Sequence, residues 1–343
     1  DEATGVYDFS RSFTAVKDKF SSVDFMMGNF ETTLAGAEAG YSHKRTDDEP
    51  AELFNCPDEI VDNLIDVGFD FLSTANNHAV DKRIDGLYRT LDVLDEKGVY
   101  HTGTARSDAE RDTPLVVEVK GIQIGLVAAT DIINKHDKWF TESESSYAVN
   151  RLRTQQERLA ANIRACKDAG AEYVIVWPHW GKEGKRGPND DQEAFARFLL
   201  ESGADLIIGS HPHVVQPIEY VTVERDGGTY TGLIIYSMGN FISNMFDENE
   251  NVGLYVELTL EKDESGNVTL ADAGYLPTYC FYRSENRKYV HQVVPALTDA
   301  SLITAWSELK DRDIQNIREA REHAAEVCTV KAIPMLEDTC WIS

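Results

Sequence analysis

The chain has 343 residues, 42% of them hydrophobic, and a formal net charge of −26 from 59 acidic and 33 basic side chains. That length accommodates two domains or one large α/β domain, and the charge disfavours nucleic acid and anionic membrane surfaces as general partners. No run approaches the ~18 consecutive apolar residues of a membrane helix and no signal peptide is recognisable. The opening Asp1-Glu2-Ala3-Thr4-Gly5 reads as the interior of a longer protein.

Strands alternating with helices favour an α/β architecture. Val23 to Met27 is a short apolar run ending at Gly28, a buried-strand pattern. Asp58 to Val67 has helical spacing and Phe69 to Thr74 is a second strand. Ile84 to Lys97 is a helix with Leu87, Leu91 and Leu94 on one face and Gly98 as its stop signal. Val116 to Ala129 holds two short strands around a turn at Lys120-Gly121, and Leu152 to Ala169 is a helix closed by Gly170. Thr141 to Ser146 and Asp247 to Asn251 read as polar loops. Tyr173 to Trp177, Asp205 to Ile208 and Leu233 to Tyr236 are apolar, β-rich strands, with a helix from Gln192 to Glu201 between the first two. Leu254 to Leu260 and Val268 to Tyr275 form an antiparallel hairpin across Ser265-Gly266-Asn267. Leu302 to Val327 is a charged helical segment. The expected division is a domain over 1–295 and a C-terminal helical extension over 296–343. Cysteines 56, 166, 280, 328 and 340 lack metal-site spacing. Cys328 and Cys340 are candidates for a pair, although the odd count excludes a fully paired framework.

Polar clusters follow the strands. They are Gly28-Asn29-Phe30-Glu31, then Asn76-Asn77-His78 with Asp81 beyond, then His179-Trp180-Gly181 with Glu183 behind, then Ser210-His211-Pro212-His213. Ligand sites of open α/β sheets gather at the carboxyl ends of strands. Imidazole, carboxylate and amide oxygen suit zinc, manganese or iron, and a two-metal site needs a bridging carboxylate with nitrogen ligands from separate strands. Glu31 is placed to bridge, with Asn77, His179, His211 and His213 completing the shells. Pro212 stiffens the backbone between two of these ligands. Taken singly, each cluster has an ordinary explanation: Asn-Asn-His is commonly a turn, and Gly239-Asn240-Phe241 reads as a tight turn. Phe30 and Trp180 are packing residues. His43, His101, His136, His291 and His323 read as surface or satisfied core residues. The joint occurrence at successive strand ends points to a metal site.

The stretches GNFETTLAG (28–36), TANNHAVD (74–81), HTGTA (101–105), HWGKE (179–183), GADLIIGSHPHVVQPIE (203–219) and YSMGNF (236–241) resemble, in order and spacing, the motifs of the CapA capsule-synthesis family. The resemblance covers roughly the first three quarters of the chain. It implies a calcineurin-like metallophosphatase fold, a β-sandwich flanked by helices, with a two-metal site (Mn, Zn or Fe). It implies metal-ligand roles for Glu31, Asn77, His179, His211 and His213, and a general-acid or phosphate-contacting role for His78. Family members open with a strand ending in Gly-Asp that supplies a further ligand. That strand is expected upstream of Asp1, since Asp8 lacks strand-end context, and metal binding by this chain is expected to be weaker for its absence.

The resemblance further implies a membrane-anchored protein on the extracellular face of a bacterial envelope, its anchor outside this sequence, working with other capsule-synthesis membrane proteins. The expected function is a two-metal-dependent, phosphoesterase-like hydrolase of poly-γ-glutamate capsule synthesis. Its substrate would be an anionic polymer or a phosphate ester, with no nucleic acid partner. The alternative is a non-enzymatic envelope component that binds or guides an anionic polymer. Asn76 is read as a substrate contact. Lys182, Lys185 and Arg186, in the Gly-rich loop 181–187, are expected to reach an anion, although a solvated loop would look the same.

Overall fold

The structure, a computed structural model, describes residues 6–41, 52–286, 288–328 and 332–342; His43 lies outside them. The protein is a mixed α/β chain in two compact units, one built from Asp1–Phe9 and Asp24–Trp180, the other from Ser10–Val23 and Gly181–Ser343.

In the first unit, β1 (Met26–Asn29), β2 (Phe69–Ser73) and β3 (Tyr100–Thr102) form a parallel sheet in that order. The crossovers are helices Glu59–Val67 and Arg83–Lys97. Each buries the apolar stripe its spacing predicts: Val61, Leu64 and Val67 on one, Leu87, Leu91 and Leu94 on the other. Both stop at a left-handed glycine, Gly68 and Gly98, whose N–H returns to the last turn. Next, β4 (Leu115–Val119) turns into β5 (Ile122–Thr130), which pairs in parallel with β6 (Tyr173–His179). The connecting residues Lys120 and Gly121 both have positive φ, the turn geometry that matches strand twist. β6 is buried along its whole length, the burial expected of a central parallel strand.

The second unit contains β7 (Leu206–Ile208), β8 (Ile218–Arg225) and β9 (Gly228–Ile235), with β9 parallel to β7 and antiparallel to β8. It also holds an antiparallel sheet of β10 (Val252–Lys262), β11 (Val268–Glu285) and β12 (Lys288–Pro295). Phe20, from the early segment of this unit, stacks on Phe241 and Tyr255. Helix Asp311–Val327 packs on β11, where Asp313 pairs with Arg283 at 2.6 Å and Asn316 donates to the Tyr279 hydroxyl at 2.8 Å.

Some expectations need correction. Thr141 to Ser146 is not a loop. Helix Glu142–Tyr147 forms there because Thr141 and Glu144 make a reciprocal capping box that satisfies its first amides. The C-terminal helix begins at Asp311, not Leu302, and β11 runs ten residues beyond Tyr275. Cys328 and Cys340 are not joined, and among the described residues no cysteine forms a disulfide. Burial pushes the Cys56, Cys280 and Cys328 thiols up to about 12, which favours the protonated thiol over the nucleophilic thiolate. Among the described residues, no helix is long and apolar enough to cross a membrane.

Candidate functional site

In the first unit, three donor-bearing side chains meet at the ends of β1, β2 and β6. His179 is the last residue of β6, fully buried, with its carbonyl held by the Asp131 N–H at 2.9 Å. Its Nε2 lies 2.8 Å from Asn77 Oδ1 and 3.6 Å from Glu31 Oε1. Tetrahedral ligands at ~2.1 Å from one ion are about 3.4 Å apart; the 3.6 Å spacing is close to that, while the 2.8 Å one is a hydrogen bond. Asn29, at the end of β1, donates to Glu31 Oε2 at 3.0 Å and turns the other carboxylate oxygen towards His179.

Asn76 shapes the loop after β2. Its Nδ2 donates to the Phe30 carbonyl at 2.8 Å and its Oδ1 accepts the His78 N–H at 3.0 Å. The side chain is fully buried and both ends are spent on the loop. It therefore positions the backbone beside Glu31 and the His78 N–H. His78 Nδ1 lies 2.6 Å from Asp81 Oδ2, and the ring stacks on Phe54. The same carboxylate oxygen accepts the Phe54 N–H at 2.7 Å. A carboxylate can only accept, so Nδ1 carries the proton and Nε2 is the nitrogen left to act on another group. Asp81 is thus an orienting residue that sequence reasoning passed over, although its place three residues after His78 was visible.

The second unit holds another donor group. One ligand atom each of Glu183, His211 and His213 lies within 4.8 Å of the others. His211 and His213 both adopt positive φ, at 100° and 59°, a conformation costly for non-glycine residues and concentrated at functional sites. Gly184 N–H donates to the Pro212 carbonyl at 2.8 Å, tying the Glu183 loop to the His-Pro-His turn.

Asn240 fixes the His213 tautomer. Its Nδ2 donates to the Glu250 carbonyl at 2.7 Å, so its Oδ1 must be the atom facing His213 Nδ1 at 2.9 Å. Nδ1 then bears the hydrogen and Nε2 the lone pair, the arrangement that partner groups impose on metal-binding histidines. The turn Gly239-Asn240-Phe241 is therefore more than a turn. Glu183 and Asn240 were not among the expected site residues, though Glu183 sits in the same motif as His179. Gly239 makes the turn possible: at φ 66°, a Cβ there would lie 2.3 Å from the Val252 carbonyl oxygen. Gly239→Ala is expected to destabilise the fold by about 2 kcal/mol or more. The check is urea denaturation, read as a lower midpoint at unchanged slope.

Imidazole, carboxylate and amide oxygen are the donor types that hold zinc, manganese or iron, so the chemistry of both groups fits a divalent ion. Lys182, Lys185 and Arg186 lie on the exposed loop 181–187 of the second unit. Arg186 is ion-paired with Glu248, and all three line a cleft of about 320 Å³.

A family model described as bacterial capsule synthesis protein matches residues 1–245. The chain belongs to this family. It is 31% identical over 257 residues to the PGA biosynthesis protein CapA of Bacillus subtilis, covering 74% of this chain and 62% of that protein. It is 27% identical over 244 residues to the capsule biosynthesis protein CapA of Bacillus anthracis, covering 70% and 56%. A probable polyglutamine synthesis accessory protein of Mycobacterium tuberculosis is 29% identical over 189 residues, covering 52% and 45%. The chain thus spans 62% and 56% of the two CapA proteins.

Proposed function

We propose that this member of the capsule-synthesis family is a metal-dependent hydrolase on a calcineurin-like metallophosphatase scaffold, acting in poly-γ-glutamate capsule synthesis at the outer face of a bacterial membrane. The carrying observation is the approach of Asn77 Oδ1 and Glu31 Oε1 to His179 Nε2 beside an Asp81-oriented His78. Glu31, Asn77 and His179 would hold metal in the first unit, and His211 and His213, joined by Glu183, in the second. Bound divalent cations would polarise the target oxygen and stabilise the charge that develops on it. Asn29, Asn76 and Asn240 hold the ligands in place. His78, braced by Asp81, would act as the imidazolium, keeping the Nδ1 proton on Asp81 and giving the Nε2 proton to the leaving group. Other capsule-synthesis membrane proteins are its partners in this reading, and its substrate is an anionic polymer or a phosphate ester.

The test is a screen of the chain loaded with manganese, zinc or iron(II) against phosphate monoesters, phosphate diesters and poly-γ-glutamate. Turnover that a chelator abolishes and added metal restores is the expected result. No turnover with any loaded metal would overturn the hydrolase and leave a polymer-binding envelope component.

A further inference from the structure

Loop 181–189 leads into helix Asp190–Glu201, and a buried amide relay shapes it. Gln216 is fully buried. Its Nε2 donates to the carbonyls of Lys185 and Gly187 at 2.8 and 3.0 Å, and its Oε1 accepts from Gln192 Nε2 at 2.8 Å. Gln192 in turn accepts the Asn189 N–H at 3.1 Å while Asn189 Oδ1 caps the helix at Gln192 N. Each side-chain oxygen accepts an N–H and both glutamine nitrogens find an acceptor, which fixes the amide orientations, and such a buried polar network favours a single conformation. Gly181 sits at φ 94°, and a Cβ there would lie 2.6 Å from Gln192 Oε1. The loop is built, not merely solvated.

What the relay presents is positive charge. Lys182, Lys185 and Arg186 line the cleft of about 320 Å³ with Asn189 and Gln192. That volume is at the low end of ligand pockets, about 300–1,000 Å³, and suits a short segment of a polymer. Arg186 is neutralised by Glu248. Lys182 and Lys185 are exposed and, among the described residues, form no ion pair, in a chain with 59 acidic side chains. Arg89, Arg106, Arg158 and Arg283 all have carboxylate partners. Two unpaired ammonium groups over one cleft, on a backbone fixed from beneath, are equipped for an anion brought from outside.

We propose that this cleft is a carboxylate-binding subsite for a glutamate polymer, in which Lys182 and Lys185 take carboxylates of the chain and Gln216 and Gln192 act as positioning residues. The proposal rests on the capsule-polymer part of the reading above and not on hydrolysis. Its test uses the 343-residue chain in a chelator at low salt, with a short fluorescent γ-linked oligoglutamate as the probe and anisotropy as the readout. Joint K182A and K185A substitution is expected to weaken binding about tenfold, while R186A changes it by less than about twofold because Glu248 already occupies that charge. Gln216→Met, with both lysines intact, is expected to weaken binding severalfold by releasing the loop carbonyls. Circular dichroism shows whether that variant is folded, and if it is not, the lysine pair decides alone.

Unchanged affinity in the double lysine variant would overturn the subsite. So would inorganic phosphate that competes as well as the oligomer does, since the cleft would then be a single-anion pocket. The hydrolase reading fails separately: a chain that binds the oligomer through these lysines but never cleaves a substrate keeps the subsite and loses the enzyme.

Discussion

Replacing His179 and His211 together with alanine is expected to leave the chain without stoichiometric metal. His179 is fully buried and supplies the nitrogen that Asn77 and Glu31 approach. Without it, the first unit offers one carboxylate and one neutral amide, a set with little preference for a transition ion. His211 is the buried member of the second group, and its loss leaves His213 with the exposed Glu183. Removing even a group that only orients a ligand costs about 10–100-fold in metal affinity, and removing ligands from both groups costs more. Elemental analysis of protein purified without chelator and then loaded should give about two ions per wild-type chain and well below one in the double variant. His101→Ala is the control, because that side chain is engaged by Asp95 at 3.0 Å and belongs to neither group. Full loading of the double variant would sink the ligand assignment.

Most of the first unit is legible because its signals are local. Leu87, Leu91 and Leu94 announce a helix face, Gly98 announces that helix's end, and Lys120-Gly121 announces a hairpin. β8 and β12 are harder. Ile218, Val221 and Val223 are buried between exposed Tyr220, Thr222 and Glu224, but the run follows the His-Pro-His turn closely and merges with it on inspection. β12 is held by its pairing with the far half of β11, a long-range condition that no local window contains. Thr141 and Glu144 carried a capping signature that the polar composition of their segment masked.

The site divides in the same way. Histidines, Glu31 and Asn77 stand out because their chemistry is rare at strand ends. Their supports do not. Asn240 reaches His213 across 27 positions and Gln216 reaches Lys185 across 31. Only the folded chain shows which amide faces which imidazole or carbonyl.

His78→Ala is expected to lower turnover by about 10²–10⁴-fold, the usual worth of a general acid, while leaving metal content unchanged. The imidazole is not among the donor groups: its Nδ1 is committed to Asp81 at 2.6 Å, and its backbone N–H is committed to Asn76. Truncation to alanine keeps that N–H and so keeps the loop that carries Asn77. Asp81→Asn should give a smaller loss in kcat with little change in KM. An amide in place of the carboxylate no longer stabilises the protonated ring, and it can present an N–H to Nδ1 and favour the wrong tautomer. The same oxygen accepts the Phe54 N–H at 2.7 Å, so an amide that turns its N–H towards His78 loses that bond too; thermal denaturation separates that structural loss from the catalytic one. Substrates with good leaving groups need less protonation, so the His78→Ala deficit should shrink as the leaving-group pKa falls. A deficit that stays constant across such a series, or loss of metal from the His78→Ala chain, would remove His78 from the acid role and place it with the ligands.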